Sequence, residues 1–331
     1  MGKLWGSPLA VALATAASSA WAQPRSTPAA FTPNRQGTNR WEGSLGGVVL
    51  SSDLPGSGPR TRSTQVLLDA ALLPRMWLGR GFQLRASLSL THTFSNSDVT
   101  TAGSTTLVND ATLATWFHGI PSFGDFHPAV ALGLVLPLSS ASRARTMLLG
   151  TQVMGQLAWW RRVGEVTLFA RASLGWEHAF FQYTTPGIRA GEGPDYTPTC
   201  YGIPSDTACS LSPTASSYAT DWLWWSLTFA PRWRWLSPGI SFVMSHTFFA
   251  TRPDGVTPAT ATYSDLSAWL ELIPTPSVSV QLTYTASYFL EDNGGLALRG
   301  HVLGVALALR FDELVAAARG EPAGPGGIVR W

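Results

Sequence analysis

Charge is scarce in this chain of 331 residues. Only 13% of them are Asp, Glu, Lys or Arg, roughly half the ~25% usual in a soluble globular protein. With hydrophobic residues at 45%, too little polar surface remains to solvate an ordinary exterior. Long apolar runs are missing as well. Beyond the N-terminus no stretch approaches the ~18 consecutive apolar residues that a membrane helix needs. A net charge of +2 with no basic stripe gives no footing for nucleic acid. There is no Gly-rich phosphate cradle, paired-Cys metal motif, catalytic-Ser motif or EF-hand-like loop, so no cofactor or metal is expected.

Cysteine is nearly absent too, at two residues, Cys200 and Cys209, in one polar, Pro-rich stretch. Their meaning depends on compartment, which the N-terminus addresses. Lys3 supplies a positive start, Leu9 to Ala20 a short apolar region, and Ala20-Trp21-Ala22 a small-x-small cleavage site before Gln23. The apolar region is too short to span a bilayer, so residues 1–22 read as a cleaved signal peptide. Residues 23–39, rich in Pro, Thr, Asn and Arg without period, read as a flexible periplasmic tail. In an exported chain the two cysteines are expected to form a disulfide that pins a loop. A metal site would need His or Cys partners nearby, and there are none.

What the chain does have is alternation. Phe82, Leu84, Ala86, Leu88 and Leu90 share one face of a strand, with Gln83, Arg85, Ser87, Ser89 and Thr91 opposite. Residues 278–288 and 301–311 repeat the pattern. Twelve such segments are predicted, near 40–52, 61–73, 82–94, 104–117, 126–138, 146–160, 165–183, 217–231, 239–250, 261–273, 277–290 and 296–311. Breaks after even segments are compact and carry Trp, Arg, Pro and Gly; those after odd segments are polar and looser. Short turns on one side and longer loops on the other are the habit of membrane barrels. The expected fold is all-β: a closed antiparallel up-and-down transmembrane β-barrel of about 12 strands over 40–311. A soluble sandwich or propeller would explain the alternation but not the lack of charge.

Aromatic residues cluster where strands should meet water. Trp77, Trp116, Phe117, Phe126, Trp159, Trp160, Trp233 and Trp235 mark one rim, with the six tryptophans as interfacial anchors. Phe94, Phe180, Tyr183, Phe248, Tyr263 and Tyr288 mark the other.

On this pattern the chain resembles the bacterial outer-membrane β-barrel superfamily. The final strand, Gly304-Val-Ala-Leu-Ala-Leu-Arg-Phe311, looks like the C-terminal assembly signal of those proteins. The resemblance implies insertion by the barrel-assembly machinery into the outer membrane of a Gram-negative bacterium. There it would contact outer-membrane lipid and lipopolysaccharide. The strand count and final hairpin also loosely resemble transporter-type barrels associated with aromatic-degradation pathways. One departure is that Phe311 is not the terminus. Residues 312–331 follow as a short helix and Gly/Pro-rich end, read as a periplasmic tail.

Two faces could carry chemistry. His92, His178, His246 and His301 fall in the lipid-facing register near the outer rim. Lipid-hydrolysing barrels keep a Ser two residues after such a His; here those positions hold Phe94, Phe180, Phe248 and Leu303. An outer-leaflet lipid hydrolase is therefore the remote alternative, and no enzyme is expected. The luminal register carries Glu42, Asp69, Arg85, Asp110, His127, Glu165, Arg171, Glu271 and Arg310. Glu42, Asp69, Arg85, Glu165, Glu271 and Arg310 are expected as one belt near the periplasmic rim, with Asp69 on Arg85 and Arg310 on Glu42. Such a belt reads equally as a selective constriction or a salt-bridged plug. Hydroxyls and Trp222 and Trp224 line the rest. The functional expectation is a passive channel or transporter for small solutes. The alternative is a surface-interaction barrel acting through its disulfide-pinned outer loop.

Overall fold

The computed structural model describes residues 40–51, 64–94, 105–139, 142–143, 146–182, 219–251, 260–275, 277–290 and 296–318. The expected signal peptide over 1–22, the expected tail over 23–39, the loop holding Cys200 and Cys209, and residues 319–331 lie outside them.

The chain alternates strand and reversal throughout: β1 (Arg40–Ser51), β2 (Thr64–Gly79), β3 (Phe82–Thr93), β4 (Thr105–Val108), β5 (Ala111–Phe117), β6 (Phe126–Leu136), β7 (Met147–Val163), β8 (Val166–Phe181), β9 (Ala219–Phe229), β10 (Arg232–Trp233), β11 (Leu236–Phe249), β12 (Ala261–Thr275), β13 (Val278–Leu290) and β14 (Leu296–Arg310). β4 and β5 both pair with β3, and β9 and β10 both pair with β8 and β11. Each pair of segments is one interrupted stave, giving twelve staves in all. Every neighbour is antiparallel, and β14 returns to β1 to close the cylinder. No helix among the described residues is long and apolar enough to cross a membrane; the crossing is made by strands. A short helix, α1 (Phe311–Ala318), begins where β14 ends and lies against β1. The expected final aromatic thus opens this helix instead of ending the strand.

The start of β1 and the end of β14 share one rim with the tight reversals. At Arg80–Gly81 both residues are left-handed, with φ of 49° and 84°, as a type I′ hairpin requires. That turn lets β2 run on to Gly79, through residues expected to be turn. Pro74 is tolerated within the strand, and Arg75 and Trp77 pair across from Arg85 and Gln83.

The period-two pattern sorts side chains to two faces. Leu88, Leu132, Leu174, Leu282, Leu303 and Val305 are between 42% and 68% exposed. Such a belt would be an aggregation surface in water and is a lipid surface in a bilayer. Gln83, Thr91, Thr228, Ser241, Glu271 and Arg310 are buried on the opposite, luminal face. The interior is packed as well. Trp224 lies across Gly175, its ladder partner, and Trp269 across Gly239. A Cβ at Gly175 would stand 2.3 Å from the Trp224 ring, and one at Gly239 2.1 Å from Trp269. Only glycine leaves room for an indole laid flat on the sheet.

Gly175→Ala and Gly239→Ala are therefore expected to lift these indoles and destabilise the barrel by about 1–3 kcal/mol each, as overpacking does. Gly155→Ala, where nothing lies within 4 Å, should be neutral. The temperature at which the folded band disappears in a heat-modifiability gel measures both.

Candidate functional site: the lumen

Two apolar clusters narrow the lumen. Ala114, Trp116, Ala129, Ala131 and Met154 pack together with Trp224 against them. Ala158, Phe169, Ala230 and Trp269 form the second, with Trp160 alongside. Trp116 and Trp160 thus belong to the interior, as does Trp77, which pairs in register with buried Gln83. This corrects their assignment as interfacial anchors. Position near a turn placed them at the rim, but parity turns one member of each doublet inward: Trp116 beside Phe117, Trp160 beside Trp159. Trp159 has the outward parity, and Trp233 and Trp235 are 43% and 52% exposed.

Beside these clusters and on toward the tight-turn rim lies a layer of arginines, with Arg85 opposite Ala114 and Arg171 opposite Ala158 in register. Arg75 and Arg310 are buried, and Arg85 and Arg171 are half-buried. Arg75 and Arg171 lie within electrostatic reach of one another, as do Arg232, Glu271 and Arg310. Arg85 sits 4.3 Å over the Trp116 ring and donates from Nε to Gln83 Oε1 at 2.7 Å. Among the described residues Gln83 Nε2, Arg232 Nε and Trp269 Nε1, all donors, are buried with no hydrogen-bond partner. Arg75 and Arg232 were missed in the sequence because both sit in segments read as turns.

The acids stand elsewhere. Asp69 pairs in register with Thr91, whose hydroxyl donates to it at 2.8 Å. It lies ten residues before the end of β2 at Gly79, away from the tight-turn rim where it was expected. Arg85 faces Arg75 instead, six positions below. The expected Asp69–Arg85 pair does not form, because the hairpin turns at Arg80–Gly81 and not at residue 74. Asp110 accepts from Ser139 N at 2.8 Å and from the Ser142 hydroxyl of the following outer loop. Glu177 accepts from Gln152 Nε2 at 2.6 Å. Glu165 is also corrected. It occupies an exposed hairpin turn and binds Arg234 of the next turn at 3.0 Å, which, with the Trp233 indole, holds its carboxyl below the ordinary value. Glu271 is buried on the luminal face. Glu42 and Arg310 are direct partners across the closing seam, at the level of the backbone register.

Two histidines stand at the inner floor. His127 meets the Ser122 hydroxyl at 2.8 Å and stacks on Trp160. His118, read from sequence as part of a turn, has ring centroids 5.4 Å from Trp77 and 6.2 Å from Trp116. Its Nε2 is 3.2 Å from an Arg85 terminal nitrogen. Arginine can only donate, so Nε2 accepts and the proton resides on Nδ1.

The four outward histidines share one habit. Each engages a neighbouring strand through Nδ1: His92 with Thr106 at 2.8 Å, His178 with Asp221 at 2.8 Å, His246 with Thr262 at 2.9 Å and His301 with Tyr284 at 2.5 Å.

Burial, then Arg85 and then Arg75, lower the His118 pKa from 6.5 to about 4. The unfolded chain therefore binds a proton there that the folded barrel refuses. Stability tied to His118 is fully present above pH 6.5 and is lost as pH falls from there through about 4. His118→Asn should flatten this dependence, measured as the unfolding temperature in detergent between those limits.

No family model matches the chain, and no curated protein matches it. Solved structures do. An outer membrane channel of Pseudomonas putida F1 is 14% identical over 84% of this chain and 99% of its own, with a TM-score of 0.50. The NanC porin is 10% identical over 81% and 98%, at 0.43. The translocator domain of the autotransporter NalP from Neisseria meningitidis is 10% identical over 90% and 98%, at 0.44. At such identities the likeness is one of fold: a closed antiparallel β-barrel, as in that outer membrane channel.

Proposed function

We propose that the protein is a passive outer-membrane channel for small solutes. It would be exported through cleavage after Ala22 and inserted by the barrel-assembly machinery. The observation that carries the reading is the lumen itself: a closed barrel whose inner face carries ionisable side chains at two depths, the deeper set beside clusters of apolar side chains. A wall built only for stability would be served by apolar filling, since each buried charge costs solvation. The charged layers bring ions and polar solutes into the lumen, and the indoles and apolar side chains there restrict what goes through. A barrel of twelve staves lies between the ~8-strand barrels filled by side chains and the ~16-strand open porins. A narrow path is the expected consequence.

This narrowing sets the conductance. Trp224→Ala should raise single-channel conductance about twofold or more, because it removes an indole from a constriction where width governs passage. Planar-bilayer recording of the full-length refolded protein is the test. Discrete small steps that grow in this variant support the channel, and an electrically silent barrel with a normal heat-modifiable shift overturns it.

A further inference from the structure

Resting on the channel reading, we infer that the lumen is electrically polarised along its axis. It should therefore pass small solutes bearing both charges faster than solutes of similar size bearing one. The evidence is the depth of each ionisable group. Asp69 stands ten residues before β2 ends at Gly79, and Asp265 ten before β12 ends at Thr275. Glu177 stands eleven after β8 begins at Val166, and Asp110 is tied to an outer loop. Arg75 is four residues from the same end of β2, Arg85 three from the start of β3, and Arg171 five from the start of β8. Arg232 and Arg310 lie lower still, at the tight-turn rim. Glu271 is the one acid whose described side chain joins them, close to Arg232. In the outer half, the described luminal residues include no Arg or Lys.

The two layers are distinct physically as well as by count. Asp69 and Arg75 lie six residues apart on one strand. At ~3.3 Å per residue and a tilt of ~40°, that separates the layers by about 15 Å along the axis. The screening length at physiological salt is ~8 Å, so neither layer cancels the other. Within the inner layer like charges sense one another, as Arg75 does Arg171. A cation is drawn into the acidic layer and repelled by the arginines, and an anion meets the reverse. A zwitterion finds an attractive partner in both. Opposite fixed charges in series also make ionic current unequal in the two directions. Voltage positive on the acidic side drives cations and anions together between the two layers, and the opposite sign depletes that zone of both.

Single-channel recording of the full-length protein in symmetric KCl tests the polarity, since each channel reports its own orientation. Currents at opposite voltages should differ about twofold or more, as fixed luminal charge dictates. Both Arg75→Gln with Arg171→Gln and Asp69→Asn with Asp265→Asn should bring the ratio toward one, with heat-modifiable migration confirming that the variants fold. In liposome swelling, glycylglycine should enter faster than choline or N-acetylglycinate. Symmetric currents from working channels, or equal entry of the singly charged solutes, overturn the polarity and leave the channel standing. Absence of any conductance and any swelling removes both.

Discussion

The antiparallel pairing of β14 with β1 is the contact on which everything else rests. In hydrocarbon no water is present to satisfy a free N–H or C=O, so an open sheet edge would cost several kcal/mol for each orphaned group. Ten residue pairs, from Glu42 opposite Arg310 to Ser51 opposite His301, remove that edge. Closure needs an even number of staves if both ends are to share a rim, and this places every tight reversal on the side of the termini. It also gives the wall two inequivalent faces, one wet or packed and one in lipid.

Those faces invert the usual rule for a globular protein. The largest apolar side chains point outward, and the interior holds hydroxyls, amides, arginines and selected aromatics. Even so, the interior obeys ordinary packing. Trp224 and Trp269 are seated by the absence of a Cβ on the facing strand, and Ala129, Ala131 and Ala158 leave space for their neighbours. The narrowing arises from alternating large and small residues across ladder pairs, the same device that fills a small barrel.

Most of this architecture could be read in the sequence because its signal has period two, and parity survives errors of position. The number of staves, the inward face of Glu271, Arg171 and Arg310, and the outward face of Trp159 all follow from alternation. Depth did not follow, because depth depends on where each hairpin turns. Reading the residues around Pro74 as a break, when β2 continues to Gly79, lowered Asp69 to the rim and hid Arg75. A proline and a clustered Trp-Leu-Gly-Arg looked like turn chemistry. The true signal was the Arg80–Gly81 pair, both left-handed. The same limit affected the aromatics. Doublets such as Trp159–Trp160 were read by location, although adjacent residues in a strand must face opposite ways.

Correcting the depth changes the electrostatic character of the lumen. With acids and bases at one level, each charge would find a partner, and the result would be a neutral, salt-bridged belt. At two levels their contacts include neutral hydrogen-bonding groups: Thr91 for Asp69, and Gln83 and neutral His118 for Arg85. Neutral partners satisfy a charge without cancelling its field. A carboxylate held by a hydroxyl keeps its full charge toward the pore, whereas one held by a guanidinium does not. The His118 ring fits this arrangement. Its depressed pKa keeps it an acceptor for Arg85 at neutral pH, so it orients the guanidinium without adding to the positive layer. Separation in depth thus keeps the acids of the far half and the arginines of the tight-turn half from meeting in one neutral belt.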